Sequence, residues 1–219
     1  MSAGARFVRS TRTALFASIV ALLGPASLAS AQEYNPLPEG LRFAAQIGFA
    51  WSTLVEVESL AGQQFSRHRA TTTSLRMTHN LVGPLVGLLE AGTGERGAQI
   101  KAPTQPDLEY RTRWFDAAGG VSVVGQCVSY FCPALDAAVG LGYNRHSVLY
   151  NQATGRPVRT IGIARYETSV IVGVRLAIPR VRSLALVVRH QEGLTNLPTD
   201  GSNARSRGQT IFISIPLTP

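Results

Sequence analysis

The stretch "LRFAAQIGFAW", residues 41–51, places Leu41, Phe43, Ala45, Ile47, Phe49 and Trp51 at every odd position. Arg42, Ala44, Gln46, Gly48 and Ala50 fill the even ones. Such strict alternation marks a β-strand with one bulky apolar face and one small or polar face. The fold turns on which face meets the protein's interior. A soluble barrel would bury Phe43, Ile47 and Trp51, whereas a membrane barrel would turn them to lipid.

The same two-residue period recurs downstream in "ALDAAVGLGYN" (134–144), "RYETSVIVGVRLAIP" (165–179), "SLALVVRHQ" (183–191) and "QTIFISIPL" (209–217). With "RATTTSLRMTH" (69–79), "LVGPLVGLLEAG" (81–92) and "LEYRTRWFDAAGGVSVVG" (108–125), the pattern predicts eight strands. The segment 81–92 reads either as a short apolar helix or as a strand with a bulge. Gly83, Pro84 and Gly87 disfavour the helix. Polar stretches such as "TGERGAQIKAPTQPD" (93–107, preceded by Gly92) read as long loops. They alternate with short links at "HN", at the cysteines and at "PRVRS". Short turns at one end, long loops at the other and an even strand count are the layout of an outer-membrane barrel.

Composition decides the orientation of the faces. If the bulky residues pointed inward, water would meet Ala44, Gly48, Gly140, Gly142 and Gly173. Charged residues make up only 16% of the chain, too few for the usual soluble surface. A bore of eight strands has the opposite need, being just wide enough for side chains to fill. Glycine and alanine there make room for Arg42, Gln46, Glu167, Arg175 and Arg189, expected as a paired lumen network because each charge is costly on a lipid face. The expected fold is all-β: an eight-stranded antiparallel up-and-down transmembrane β-barrel over residues 41–219, with its external-loop partner undefined.

The first residues address localisation. Arg6, Arg9 and Arg12 precede the apolar run "ALFASIVALL" and the small-residue stretch "ASLASA" ending at Ala31. This is the layout of a secretory signal peptide over 1–31, leaving a tail at 32–40. The leader holds three arginines and no acid, so the remainder is only mildly basic. Its charges are scattered, which argues against a nucleic-acid partner. No later segment is apolar and long enough for a membrane helix.

The segment "LALVVRHQEGLTNLPTDGSNARSRGQTIFISIPL" (184–217) resembles the last hairpin of the outer-membrane β-barrel domain family of Gram-negative bacteria, with Gly193–Asn196 leaving the penultimate strand. The middle strands resemble that family's glycine-bearing strands. The resemblance implies a barrel in the outer membrane, contacts with its lipid and with the barrel-assembly machinery during biogenesis, and no common catalytic residue. The chain departs from the family pattern by ending "IPLTP" rather than on an aromatic, although Phe212 supplies one within the last strand.

Remaining motifs read as structural. Cys127 and Cys132 are the two cysteines. An exported pair so spaced reads as a disulfide, with two free thiols as the alternative; a zinc site lacks two ligands. "GTGERG" (92–97) matches the dinucleotide fingerprint, but Pro103 and Pro106 forbid the helix that the motif needs. It reads as external loop, and neither cofactor nor metal is expected. His68, His79, His146 and His190 are dispersed. A lipid-modifying enzyme would need a hydroxyl beside an oriented base. His190 with Glu192, and Ser147 after His146, are the rim candidates, and no catalytic role is expected of them. The other alternative is a secreted, lipocalin-like barrel holding an apolar ligand. Trp51, Tyr110, Trp114, Tyr143, Tyr150 and Tyr166 are candidate girdle aromatics.

Overall fold

A computed structural model describes residues 41–55, 64–102, 105–127, 131–178, 184–197 and 203–217. The expected signal peptide and the tail at 32–40 lie outside them. The strands are β1 (Leu41–Val55), β2 (Gln64–Val82), β3 (Leu85–Ala102), β4 (Gln105–Val124), β5 (Cys132–Asn151), β6 (Pro157–Thr160), β7 (Tyr166–Ile178), β8 (Leu184–Gly193) and β9 (Arg205–Pro216). Eight of them pair antiparallel in a closed ring, β1 to β5 in order and then β7, β8 and β9. The ring shuts where β1 meets β9, with Ile47 opposite Ile213. Closure satisfies both edges of every wall strand, which an open sheet cannot do. The short β6 pairs only with the upper part of β5 and stays outside the ring.

The alternation in 41–51 resolves as the composition argument expects. Ile47 is 56% exposed and Phe49, Leu89, Phe115, Val139, Leu141, Leu186 and Ile213 are also exposed. Between them Gln46, Glu167, Ser169 and Ser214 are buried. The wall is therefore apolar outside and polar inside, the reverse of a soluble barrel. From Phe131, just before β5, to Tyr143 within it, the outer residues span roughly 30 Å at a typical strand tilt, the thickness of a hydrocarbon core. Gly48 shows why small residues face inward: a Cβ there would lie 2.0 Å from the Ile211 carbonyl oxygen of β9.

Several boundaries differ from the sequence expectation. Gly83-Pro84 is not a bulge within a strand but the two-residue turn joining β2 to β3, with Gly83 at φ 54°. Glycine takes that left-handed position without a Cβ clash. His79 and Asn80, expected as the link, lie inside β2. The stretch 92–102 is not a loop: "GTGERG" sits in β3, with Gly92 opposite Asp116 and Gly97 opposite Arg111. Strand pairing needs only backbone groups, so polar residues extend the wall above the exposed apolar band. His146 and Ser147 likewise belong to β5 rather than to a loop. Cys127 and Cys132 form the expected disulfide across the lower link from β4 to β5.

Candidate functional site

Two groups of polar side chains stand out, one filling the bore and one on the upper outer wall. In the bore, Arg189 of β8 holds both oxygens of Glu90 at 2.5 and 2.6 Å. Arg76 of β2 grips both oxygens of Asp136 at 2.6 and 2.9 Å. Higher up, Arg96 lies 2.8 Å from Glu167, whose other oxygen accepts from Ser206. All of these charges are buried. The Arg189 and Arg76 forks each match a planar carboxylate, while Arg96 reaches Glu167 through one nitrogen, and this pairing offsets the desolvation that an isolated buried charge could not. Arg189 and Arg96 also stack on Phe212 and Trp114, at 5.0 and 4.2 Å from the ring centroids. Gln46 ties Ser74 to Ser214.

The bore residues expected from sequence distribute unevenly. Gln46, Glu167 and Arg189 are buried in the bore. Glu167, however, pairs with Arg96 rather than with Arg175 or Arg189, and Arg189 takes Glu90. Arg175 stands opposite Ala134 within electrostatic reach of Asp136. Arg42 is half-buried opposite Thr78 near the lower end. Arg76, Glu90, Arg96 and Asp136 join the network beyond the residues expected from sequence. Only their even-numbered positions, in step with Thr72, Gly92 and Gly140, signal an inward direction. Tyr110 and Trp114 are buried in the bore rather than in the girdle. They share parity with the buried Thr112 and Ala118, so the alternation in 108–125 overrides the preference of aromatics for interfaces.

The top of the bore keeps one small cavity, lined by Ser52, Arg96, Tyr110, Asn144, Glu167 and Ser206. Its enclosed space is about one water molecule's worth. This cavity is too small to hold an apolar ligand.

On the outer wall above the apolar band, His68 bridges two carboxylates. Its Nδ1 lies 2.8 Å from Glu109 and its Nε2 3.1 Å from Glu95. A register shift in β2 between Arg67 and Thr72 places the ring against Gly97, where a Cβ would come within 3.2 Å of its Cγ. Ser52 reaches through the same irregularity to both backbone groups of Gly97, at 2.8 and 3.1 Å. Burial pulls the His68 pKa down, but hydrogen bonds and charge from Glu95 and Glu109 outweigh it and hold it above 6.5. The His68 hydrogen bond lowers Glu95. Burial pulls Glu109 up, yet Arg111 and His68 hold it below the usual carboxylate range. His68 is thus favoured as an imidazolium clamp joining β2, β3 and β4.

The rim residues weighed as catalytic do not assemble. His190 Nε2 lies 3.7 Å from Glu192, which pairs more closely with Arg207 at 2.6 Å. Ser147 points inward and donates to Thr112 at 3.0 Å. His146 is on the outer face, bonded to Arg145.

No protein-family model matches the chain, and no curated protein matches it. Among solved structures it is similar to the outer membrane protein OprG of Pseudomonas aeruginosa, at 12% identity over 80% of this chain and 94% of that one (TM-score 0.49). It is also similar to Ail, the attachment invasion locus protein of Yersinia pestis, at 12% identity over 82% and 99% (TM-score 0.46). A third is Neisserial surface protein A, at 14% identity over 81% and 99% (TM-score 0.45).

Proposed function

We propose that this chain is a small bacterial outer-membrane β-barrel with a structural or surface-interaction role, its bore closed by side chains. The observation that carries the reading is the inversion of the wall: exposed Ile47, Val139 and Ile213 outside, paired Arg189–Glu90 and Arg76–Asp136 inside. In water that outer band would be an apolar patch far larger than monomers expose; in lipid it is the expected surface. With the bore filled, the protein acts through its outer wall and the segments of its upper end. The lower end, which carries Leu41 and Leu217, then faces the periplasm. Its partners are outer-membrane lipid and, during biogenesis, the assembly machinery.

Cell fractionation with detergent extraction tests this reading. The protein is expected in the outer-membrane fraction, migrating faster on a gel when unheated than when boiled. Recovery from the periplasm without detergent would contradict it. The reading assigns no chemistry to the protein, so replacing His68, His146 or His190 leaves envelope lipid composition unchanged.

A further inference from the structure

The outer wall carries a second cluster, with different chemistry, on β4, β5 and the residue just before β7. Arg113 and Arg145 stand directly opposite each other across the β4–β5 ladder, and both are exposed. Like charges in that relation destabilise a sheet unless something lies between them. Arg165 is exposed on the far side of β5, its carbonyl accepting from the Asn144 N–H at 2.7 Å. Among the described residues no carboxylate lies within ion-pair distance of these three. Glu95 faces Arg113 in the ladder, but its carboxylate is turned to His68.

The local backbone presents this cluster deliberately. Between Thr112 and Arg113 the register slips by one, leaving His146 as an extra residue at φ 54°. A positive φ is uncommon for a residue other than glycine, and bulges of this kind re-aim side chains. Here the bulge turns Arg145 and His146 outward together, with Arg145 Nε donating to His146 Nε2 at 3.1 Å. Immediately below lies a row of exposed aromatics: Phe115 opposite Tyr143, and Tyr143 opposite Tyr166, with the two tyrosine rings 5.6 Å apart. Exposed aromatic rings in such a row mark the boundary between acyl chains and headgroups.

We propose that Arg113, Arg145 and Arg165, standing over the Phe115–Tyr143–Tyr166 shelf, form a lipid-headgroup site that takes the phosphate monoester of a lipid in the surrounding leaflet. The proposal rests on the membrane-barrel reading above. The position carries the choice of occupant: the cluster opens sideways into the headgroup layer, with aromatic faces below it for the acyl chains. Paired guanidinium forks suit a phosphate dianion, whose oxygens accept hydrogen bonds from both.

The test uses the full chain folded in bilayer discs of phosphatidylcholine containing a minor fraction of phosphatidic acid. The discs are then extracted into mild detergent and the retained lipid is quantified by mass spectrometry. Wild type is expected to enrich phosphatidic acid about tenfold over phosphatidylcholine, and Arg113→Gln/Arg145→Gln to abolish that enrichment. Arg156→Gln/Arg159→Gln, which removes exposed charges outside the cluster, leaves it intact. Should the first double variant fail to fold, Arg165→Gln alone is expected to lower the enrichment about threefold. Equal retention by wild type and the cluster variants would overturn the proposal. So would displacement of the lipid by soluble glycerol phosphate at equal concentration, which would make the site one for free anions. Folding is read separately from the gel shift on boiling. A wild-type chain that inserts yet shows no enrichment refutes this inference alone, whereas one that never inserts refutes the membrane reading.

Discussion

Arg189, inside the barrel, holds both oxygens of Glu90 at 2.5 and 2.6 Å, whereas Arg113, on the outer wall, has no carboxylate partner among the described residues. The same side chain meets two solvents. In the bore, water is excluded and an unpaired guanidinium would cost several kcal/mol, so every buried arginine named above has an acid in reach. On the upper outer wall the charge stays exposed, so pairing is optional and an arginine can stand ready for a ligand. The difference teaches that charge pairing here reports position relative to the wall, not residue type.

The comparison breaks most visibly if a bore pair is halved. Glu90→Leu should cost about 3–5 kcal/mol by leaving Arg189 buried and uncompensated. Glu90→Leu with Arg189→Met should recover most of that loss, as measured by urea unfolding in detergent or bilayers. The corresponding outer-wall change, Arg113→Gln, is expected to alter stability by less than about 0.5 kcal/mol. A large side chain at an inward glycine ranks next. Gly48→Leu drives atoms into the Ile211 carbonyl and should destabilise by about 3 kcal/mol, or block β1–β9 closure and with it the heat-modifiable gel shift. The Cys127–Cys132 disulfide closes a loop of sequence separation only 5, so its reduction should cost only about 2 kcal/mol.

The smallest effect tests the charged clamp at the upper end. His68 has a raised pKa, so its contribution is fully present below its ordinary value of 6.5 and is lost as pH rises through the higher folded value. Stability of the wild type should therefore decline above about pH 6.5, and His68→Gln should flatten that decline. Glu95 and Glu109 act in the opposite direction. Their lowered pKa values stabilise above 4.5, and that contribution disappears as pH falls below it.

Much of the wall was legible because a period of two leaves no ambiguity once one face is fixed. Ile47 and Gln46 cannot trade places without shifting a whole strand. The same rule, applied to 108–125, places Trp114 and Tyr110 inside, where residue type alone suggests an interface. What the sequence could not show is which charges meet. Arg96 and Glu167 are 71 residues apart and come together through the stagger of strands around the ring. Strand ends were also hidden, since 92–102 continues the wall above the apolar band with no apolar face to declare it. The bulge at His146 has no sequence signature, and it alone decides that Arg145 and His146 point the same way.

The inversion of the wall is tested most directly with tryptophan as a lipid sensor. The chain has two tryptophans, so Trp51→Phe leaves only Trp114, and Trp51→Phe/Trp114→Phe with Ile47→Trp leaves only position 47. In bilayers of phospholipids brominated at successive depths, the indole at 47 should be strongly quenched at one depth and Trp114 at none. Quenching of Trp114 with an unquenched indole at 47 would put the bulky residues around the barrel axis and the arginines outside, contradicting the account.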